Sequence, residues 1–423
     1  MQPRSTFRRF FSALLPIIVI MIVVFSNDTN ATSQWARKFG MSCSSCHTVF
    51  PRLNAFGQEF LKNGYQMMNT YNTNFEDAYP INSGGVLLDE VSNLFGFRLN
   101  MTPFMLETNT LQKDSASDKT TKITLANPIW AQMFIAGSIY KDISFFSELE
   151  YSKSSFKFNW FYFNLTNLFG TRAANLQIGN ISPIEFASYP NRLPQLPALK
   201  GEAMLIKSSN GKGETSVDMS SARPGFQYFG YNEWVTVYAG ISPGTSAGQI
   251  NQFFNVWGGL VFNLPETVSK DLSGSTFTIH YYTGTDTKGT GTSAQMENSF
   301  NRISPQLNLR WKGLDLQAAY IIAKDDNWSL VANPTEDFKF NGIALDCGYM
   351  INEKWHAAVH FDSYSSDNEV DGVKILDYQR IVPALTYIIN ENIRTTAYYE
   401  ADISDKDADL KVSKFYLNIR TMF

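Results

Sequence analysis

The residues Cys43-Ser44-Ser45-Cys46-His47 form a Cys-x-x-Cys-His string, the most specific chemical motif in the chain. This spacing is the signature of c-type haem attachment, in which two thiols add to the two haem vinyl groups and the following histidine binds the iron. We therefore expect Cys43 and Cys46 to hold one covalent haem c, with His47 as an axial ligand of its iron.

Three other uses of the two cysteines compete with haem attachment: a zinc site, a thioredoxin-like dithiol and an ordinary disulfide. A zinc site needs four ligands, yet no Cys or His follows His47 before His280. A redox dithiol normally accompanies a βαβ pattern, which the sequence lacks. The third cysteine, Cys347, shares a predicted strand with Ile343 and Tyr349, and we expect an inert thiol on the lipid-facing side.

A small helical module is predicted around the haem string. Apolar residues after the string recur at helical spacing, Pro51 suits the first helical position and Gly64 suits a C-terminal cap. This amphipathic helix is expected to cover one face of the haem, in a cytochrome c module that spans residues 32–80. Arg37 and Lys38 are candidate partners for the haem propionates.

The second axial ligand of the haem iron has several candidates. Because no histidine besides His47 precedes His280, Met67 and Met68 are the local candidates. Methionine ligation would raise the reduction potential. An open or water-ligated site, and a histidine from the later part of the chain, are the alternatives.

The first 31 residues predict a secretory signal peptide. Arg4, Arg8 and Arg9 form a positive segment before the apolar stretch Phe10–Phe25, and Thr29-Asn30-Ala31 is a plausible small-residue cleavage site. A retained membrane anchor is the alternative, but the stretch is short for a membrane span and contains Pro16. Export would bring the chain to the compartment where c-type haem is attached.

The composition of the chain favours a transmembrane β-barrel. Its 423 residues are 44% hydrophobic, 14% aromatic and only 17% charged, and the net charge is −4. The mean hydropathy is −0.19, a polar average that fits strands with alternating apolar and polar residues. The same figures exclude collagen, coiled coil and disorder, and a pI of about 5.7 argues against a basic nucleic-acid-binding protein.

From about residue 85 onward, apolar and polar residues alternate with a period of two. In one segment Phe277, Ile279 and Tyr281 alternate with Thr278 and His280, and similar segments recur to the end of the chain at Phe423. Short turns such as Lys312-Gly313, Asn352-Glu353 and Asn390-Glu391-Asn392 alternate with long polar loops at 284–301, 324–337, 364–375 and 403–410. This pattern predicts a mainly β fold, an outer-membrane barrel of about sixteen strands over residues 85–423. A soluble β-sandwich or a solenoid is the alternative.

One long connection departs from the regular pattern. Four prolines fall within residues 181–200, which interrupts any strand there. We expect this segment to be an external loop, as most long loops are, and the alternative is that it folds inward as a constriction.

Two sets of residues are candidates for an iron path. Acidic residues of the predicted external loops would concentrate a divalent cation such as Fe(II), with ordinary solvated loops as the alternative. They are Asp325, Asp326, Glu336, Asp337, Asp367, Glu369, Asp371, Asp405, Asp407 and Asp409. Polar residues predicted to face the lumen form the second set, with a plain polar lumen as the alternative. They are His280, His356, His360, Asp362, Glu400 and Asp402.

A single haem joined to a barrel suggests electron transfer across the outer membrane. An electron does not cross about 30 Å of hydrocarbon unaided, so a haem acting there needs a protein pore around it. The sequence has no P-loop, no His-Glu-x-x-His string and no legible nucleophile–base pair. Their absence agrees with one-electron transfer, which needs no general base.

The region around the haem string resembles one family. Trp35-Ala36-Arg37-Lys38-Phe39-Gly40-Met41 before the string, then Pro51-Arg52-Leu53-Asn54-Ala55-Phe56-Gly57 and Gly64-Tyr65, look like the N-terminal module of fused outer-membrane monohaem cytochrome–porins of iron-oxidising bacteria. Trp35 stands where that family usually has Phe. The resemblance implies a barrel of about sixteen strands with the haem module as a plug inside it or a cap beneath it. It also implies oxidation of Fe(II) at the cell surface, with electrons passed to periplasmic cytochromes.

The sequence as a whole predicts an exported outer-membrane cytochrome–porin. Its activity would be that of an Fe(II):cytochrome c oxidoreductase, with Fe(II) as donor and a periplasmic c-type cytochrome or cupredoxin as acceptor. Two alternatives remain: the same architecture with another donor or with outward electron flow, and a diffusion porin whose haem module is a structural plug. No catalytic acid or base is expected, and no nucleic acid partner.

Overall fold

A computed structural model of the chain describes most of the barrel and part of the N-terminal module. The described residues are 34–49, 51–67, 81–83, 86–88, 91–113, 116–152, 155–190, 196, 219–243, 254–288, 296–327, 337–366, 369–370, 373–374, 377–404 and 411–422. The predicted signal peptide and Met68 lie outside them, as do Glu336, Asp367, Asp371, Asp405, Asp407 and Asp409. No helix among the described residues is long and apolar enough to span a bilayer.

The described N-terminal part contains short helices and one small hairpin. Helix α1 runs over Gln34–Phe39 and helix α2 over Ala55–Lys62. Strands β1 (Ile81–Ser83) and β2 (Val86–Leu88) pair with each other, and helix α3 (Val91–Leu94) leads directly into the barrel.

Sixteen antiparallel strands form one closed barrel. They are β3 (Phe95–Lys113), β4 (Ala116–Tyr140), β5 (Ile143–Ser152), β6 (Ser155–Leu165), β7 (Asn175–Ile181), β8 (Arg223–Tyr231), β9 (Val235–Ser242), β10 (Asn255–Asn263), β11 (Thr276–Lys288), β12 (Met296–Trp311), β13 (Leu314–Asp325), β14 (Phe338–Met350), β15 (Trp355–Ser366), β18 (Asp377–Asn390), β19 (Ile393–Asp402) and β20 (Lys411–Met422). A separate two-residue hairpin, β16 (Glu369–Val370) with β17 (Val373–Lys374), lies between β15 and β18.

Each barrel strand pairs with its neighbours in the chain, and β20 pairs with β3 to close the ring. Closure leaves no strand edge unpaired, which is what a sheet in hydrocarbon requires. The predicted outer-membrane-type β-barrel and its number of sixteen strands are therefore confirmed.

The predicted alternation between lipid and lumen is confirmed along the strands. On β12, Ile303 and Trp311 are exposed on the outside, whereas Arg302, Ser304 and Arg310 are buried inside. Apolar side chains face outward because the bilayer offers no partners for polar groups, and polar ones face inward where they hydrogen-bond. Cys347 faces outward with Ile343 and Tyr349, as expected.

The longest connection, between β7 and β8, lies at one end of the barrel, where β3–β4 and β5–β6 are nevertheless joined by two residues each, and most connections at the other end are short. Lys141-Asp142, Lys312-Gly313 and Glu391-Asn392 are two-residue links at this other end, which we call the short-turn end. Some strands are much longer than the ten residues expected, up to 25 in β4. Thr120, Thr121 and Lys122 of β4 are exposed polar residues, so this strand continues past the apolar band.

The segment after β7 folds inward, which corrects the expectation of an external loop. Ser188 donates its backbone N–H to Thr278 Oγ1 at 2.9 Å, and Tyr189 donates its own to Gln306 Oε1 at 2.8 Å. Phe186 packs on Phe229 with ring centroids 4.4 Å apart. Polar residues inside the barrel thus supply the partners that a proline-interrupted segment lacks within itself.

Candidate functional site

The haem string forms a tight turn whose functional side chains border one cavity. Cys43–Ser45 is a single 3₁₀ turn, and the backbone N–H groups of Cys46 and His47 both donate to the carbonyl of Cys43. Cys43, Cys46 and His47 line a cavity of about 130 Å³, and Cys43 and His47 also line a second cavity of about 540 Å³. The local fold therefore brings together the three residues that the motif predicts.

The imidazole of His47 is held by the backbone beyond the turn. Its Nδ1 donates to the carbonyl oxygen of Pro51 at 3.2 Å, so the proton lies on Nδ1 and the lone pair on Nε2. Burial lowers the pKa of His47 to about 4, and the ring is neutral at neutral pH. A neutral imidazole whose other nitrogen donates to a carbonyl is the usual form of a metal-ligating histidine.

The two thiols are not activated as redox nucleophiles. Burial raises the pKa of Cys43 to about 12, with the carboxylate of Glu391 adding to the shift, and raises the pKa of Cys46 to about 11. A thioredoxin-like thiol needs the opposite, a lowered pKa in an electropositive setting. The burial of both thiols and the Glu391 carboxylate beside Cys43 thus disfavour the dithiol alternative.

Asn54 ties the haem string to helix α2. Its side-chain oxygen accepts from the backbone N–H of Gly57 at 2.8 Å, and its amide nitrogen donates to the carbonyl of Ser45 at 2.9 Å. Its backbone N–H donates to Cys46 O at 2.8 Å. Asn54 is therefore the N-cap, and the expectation that Pro51 opens the helix is wrong because a capping side chain satisfies the first turn instead.

Helix α2 approaches the haem string too closely for a side chain at one position. A Cβ atom on Gly57 would lie 2.3 Å from the carbonyl oxygen of Cys46. The helix ends as predicted, with Gly64 in the left-handed region at φ +67° just after the C-cap Asn63.

Aromatic side chains close one side of the smaller cavity. Trp35 stacks on Tyr65 with ring centroids 4.5 Å apart, and Phe60 meets Trp35 edge-on at 6.1 Å. All three rings line the cavity. The hydroxyl of Tyr65 is hydrogen-bonded to that of Tyr162 on β6 at 2.9 Å, so this apolar wall is fixed to the barrel.

The module is a plug within the short-turn end of the lumen. Arg52 forms a buried ion pair with Asp315 of β13, at 3.0 Å, and also donates to Asn308 of β12 at 2.7 Å. Elsewhere around the barrel wall, Lys62 Nζ donates to Thr236 Oγ1 at 2.8 Å and Gln66 Nε2 donates to Ser138 Oγ at 3.0 Å. Sequence reasoning missed these anchors, because their partners lie far along the chain.

Of the two methionines predicted as distal ligands, Met67 lies within the described residues and Met68 does not. Met67 packs against the hydrophobic core and does not line either cavity. Met41 lines the smaller cavity, and Met422 of β20 lines both. The candidate propionate partner Arg37 donates to the carbonyl of Phe95 at 2.6 Å.

The predicted lumen-facing residues do face inward, and three of them, His360, Asp362 and Glu400, belong to one network of ion pairs and hydrogen bonds. His360 contacts Asp346 at 2.9 Å and Asp362 at 2.5 Å, and Arg380 bridges Asp362 and Glu400 at 2.5 and 3.1 Å. Three predicted residues lie outside this network: His280 bonds to Tyr238, His356 is buried, and Asp402 accepts from Ser404. Within the described ranges, no three His, Cys, Asp or Glu side chains are grouped to hold a metal ion.

The inward segment joins this network at the hydroxyl of Tyr189, which donates to Asp346 at 2.5 Å. Burial, together with the nearby carboxylates, raises the pKa of Tyr189 and keeps it protonated. The inward segment also meets the plug, since Arg52, Lys62, Glu185 and Ser188 line one small cavity of about 40 Å³.

The prediction that Asp325 lies in an external loop is wrong. Asp325 ends strand β13 and is fully buried, with Arg302 at 2.7 Å, because an inward arginine on the neighbouring strand needs a counter-charge. Asp326 and Asp337 both pair with Lys324, at 3.2 and 2.8 Å, and Glu369 lies in the small hairpin.

The chain is similar in fold to solved outer-membrane barrels. No family model and no curated protein matches it. An anion-selective porin from Comamonas acidovorans matches 78% of this chain and 99% of its own, with TM-score 0.53 and 10% identity. The outer-membrane channel DcaP of Acinetobacter baumannii matches 78% of this chain and 97% of its own, with TM-score 0.51 and 11% identity. OmpF of Salmonella typhi matches 81% and 99%, with TM-score 0.50 and 13% identity. Such likeness establishes the fold, that of an outer-membrane porin barrel.

Proposed function

We propose that this chain is an outer-membrane electron-transfer protein that oxidises extracellular Fe(II) through one covalent haem c. Each Fe(II) ion would give up one electron and leave as Fe(III), and the electron would pass to a periplasmic c-type cytochrome or cupredoxin. The observation that supports this most directly is the convergence of Cys43, Cys46 and His47 on one cavity inside the barrel.

The donor set at this cavity fits a covalent haem. Cys43 and Cys46 are free thiols, as thioether formation requires, and His47 holds its Nδ1 proton on Pro51 so that Nε2 is the ligating atom. Trp35 and Phe60 would exclude water from the site. When bound, the haem supplies a one-electron Fe(III)/Fe(II) couple, whose potential depends on ligation and burial.

The position of the plug agrees with inward electron transfer. In bacterial barrels the short turns face the periplasm. The larger cavity is bordered by exposed residues of two short turns, among them Glu353, Lys354 and Glu391. An acceptor that approaches from the periplasm would therefore meet the rim next to Cys43 and His47.

The diffusion-porin alternative is disfavoured by the filled lumen. A water-filled sixteen-stranded channel leaves its inward side chains accessible. Here inward residues of several strands are completely buried, including Thr278, His280, Asn298 and Ser304. The plug fills the lumen from the short-turn end, and the inward segment around Tyr189 fills it from the opposite end.

The first experiment is an anaerobic absorbance spectrum of the oxidised, detergent-purified protein before and after addition of Fe(II). Growth of the sharp reduced α-band is expected in the wild type and in Cys347→Ser, whose altered thiol lies on the outer face. The Cys43→Ser/Cys46→Ser variant is expected to lack covalent haem.

Two results would contradict the proposal at different levels. If dithionite reduced the haem but Fe(II) reduced it at neither acidic nor neutral pH, Fe(II) would not be the donor. The protein would then use another donor or carry electrons outward. If protein from cells competent in haem attachment carried no covalent haem, the cytochrome function itself would be wrong.

A further inference from the structure

A glutamine at the start of helix α1 carries a buried amide into the smaller cavity beside the haem string. Gln34 is only 1% exposed, and it lines this cavity together with Cys43, Cys46 and His47. Among the described residues, neither its Nε2 nor its Oε1 has a hydrogen-bond partner. A buried amide without partners costs free energy, so a ligand of the cavity is expected to supply what the protein does not.

The structure fixes Gln34 against strand β3 of the barrel. Arg37 of the same helix donates to the carbonyl of Phe95, the first residue of β3, at 2.6 Å. The next residue is Gly96, where a Cβ atom would overlap with Gln34 Oε1. The barrel wall therefore has a glycine at the point where the glutamine side chain passes, and the amide is accommodated inside the protein.

The amide and the haem string lie on different walls of the cavity. The backbone N–H of Cys43 donates to Glu391, in the turn between β18 and β19, at 3.1 Å. Thr48 Oγ1 donates to Asp315 of β13 at 3.1 Å. Gln34 instead lies against β3. The cavity thus extends from the string to the wall that carries the amide.

Two charged side chains border the cavity near this wall, and they offset each other. Arg98 of β3 donates to Gln132 at 2.6 Å, and Gln132 in turn donates to Glu148 of β5 at 2.6 Å. Glu148 also accepts from Asn159 at 3.3 Å. The wall therefore offers a ligand the hydrogen bonds of the Gln34 amide rather than a net charge.

We propose that Gln34 Nε2 donates a hydrogen bond to a propionate of the covalent haem. This inference rests on the proposed haem attachment. Propionates occupy the porphyrin edge opposite the vinyl groups, so a haem held by Cys43 and Cys46 directs them away from the string and toward the wall of Gln34. An ionised carboxylate accepts hydrogen bonds only, and bonds to charged groups are stronger than those between neutral groups.

This assignment replaces Arg37 and Lys38 as propionate partners. Neither of them borders the smaller cavity; Arg37 donates to the carbonyl of Phe95, and Lys38 lies over the ring of Phe39 at 5.3 Å. The negative charge of a propionate favours ferric haem. A hydrogen bond from Gln34 offsets part of that charge and so raises the reduction potential.

The test compares full-length protein carrying Gln34→Leu with the wild type, because leucine fills the space and removes both amide groups. Gln177→Leu is the matched control, since Gln177 is a buried lumen glutamine that borders neither of the cavities lined by the haem string. The readouts are covalent haem content, the midpoint potential by spectroelectrochemical titration, and the propionate-bending mode in the resonance Raman spectrum. Gln34→Asn keeps an amide that is one methylene shorter and covers the case in which the leucine variant fails to fold.

Gln34→Leu is expected to retain covalent haem, to show a shifted propionate mode and to have a lower midpoint potential. Gln34→Asn is expected to shift the mode in the same direction by less, and Gln177→Leu to match the wild type. An unchanged propionate mode in Gln34→Leu, or in Gln34→Asn where the leucine variant does not fold, would overturn the assignment. An equally large shift in Gln177→Leu would overturn it as well, and both results leave haem attachment intact.

The amide has two competing partners, a water molecule in the cavity and a ligand of the haem iron. A water partner predicts that Gln34→Leu leaves the propionate mode at its wild-type frequency. A partner on the iron predicts changed g values in the electron paramagnetic resonance spectrum of the ferric protein with an unchanged propionate mode, and either result overturns the assignment. Wild-type protein without any covalent haem would refute the proposed function and this inference together.

Discussion

The guanidinium of Arg52 lies 3.0 Å from the carboxylate of Asp315, and both side chains are almost completely buried. Arg52 lies shortly after the haem string, and Asp315 stands near the start of strand β13. Thr48 Oγ1 donates to the same carboxylate at 3.1 Å. Through this pair the segment that carries Cys43, Cys46 and His47 is fixed to the barrel wall.

Removal of Arg52 is expected to release the plug. Arg52→Met removes the nearest cation from the Asp315 carboxylate, since the Nε of Arg310 is 3.9 Å away, and breaking a buried pair costs about 3–5 kcal/mol. The double variant Arg52→Met/Asp315→Leu is expected to recover much of this loss, because it removes the unpaired charge. Urea titration in detergent, followed by protease sensitivity of residues 34–67, measures the stability of docking.

The control for this prediction is an exposed ion pair across the same boundary. Arg172 of the barrel and Glu59 of α2 are 2.8 Å apart, but both are exposed. Arg172→Met is expected to cost about 0–1 kcal/mol, because surface pairs contribute little. Equal losses for Arg52→Met and Arg172→Met would contradict an anchoring role for the buried pair.

The barrel was predictable from sequence because each strand residue carries its own local signal. A side chain such as Ile303 or Ser304 is apolar or polar according to the face it occupies, and the period of two needs no knowledge of distant partners. The convergence of Cys43, Cys46 and His47 on one cavity was predictable for a similar reason, since these residues are close in sequence. The N-cap role of Asn54 could also have been predicted, because an Asn just before a helical pattern is a recognised N-cap.

The contacts that hold the plug and the inward segment were not predictable. Arg52 and Asp315 are 263 positions apart, and Tyr189 and Asp346 are 157 apart. Nothing near Arg52 distinguishes a buried anchor from an exposed arginine, and the prolines around Tyr189 suit an external loop equally well. Asp325 was assigned to a loop because its acidic neighbours suggested one, whereas its actual partner Arg302 is on another strand.

Gly57→Ala is expected to reduce haem attachment. The added methyl would meet Cys46 O at 2.3 Å, so helix α2 must move away from the string, at a cost of about 1–3 kcal/mol typical of overpacking. Covalent haem per barrel, from haem absorbance and protein mass, measures the effect. Gly40→Asn is the control, because a Cβ atom on Gly40 would meet no described atom within 4 Å and Asn tolerates its φ of +61°. Normal attachment in Gly57→Ala would show that this close approach is not needed.

The distal ligand can be tested with three methionine variants. Met67→Leu is expected to leave the axial ligation unchanged, because Met67 packs in the core and borders neither cavity. Met41→Leu and Met422→Leu alter side chains that border the cavity beside His47. Near-infrared magnetic circular dichroism of the ferric protein reports sulfur ligation directly. A sulfur signal that disappears in Met67→Leu alone would show that Met67 reaches the iron.

Docking of the plug is expected to strengthen as pH rises above about 8. Burial lowers the pKa of Lys62 to about 8, below its unfolded value of 10.5. Between these values the unfolded state binds more protons, so the free energy of unfolding rises with pH in that window and the charged lysine is disfavoured below it. Lys62→Met removes this titration, and its stability is expected to change less between pH 8 and 10.5. Parallel urea titrations of the two proteins test this, and identical pH slopes would contradict it.

The protein is expected to conduct ions poorly despite its sixteen strands. Tyr189 donates to Asp346 at 2.5 Å and holds the inward segment against β14, and the plug fills the short-turn end. Single-channel recording in a planar bilayer should therefore show a conductance far below that of an open porin. Replacing Ser188 and Tyr189 by Gly removes the hydrogen bond between the hydroxyls of Ser188 and Thr278 and the one from the Tyr189 hydroxyl to Asp346, and conductance is expected to rise. Tyr228→Phe, which loses a hydroxyl on the outer face, is the control and is expected to match the wild type. A large conductance in the wild type would instead favour the diffusion-porin alternative, because ions would then find a path that the described contacts close.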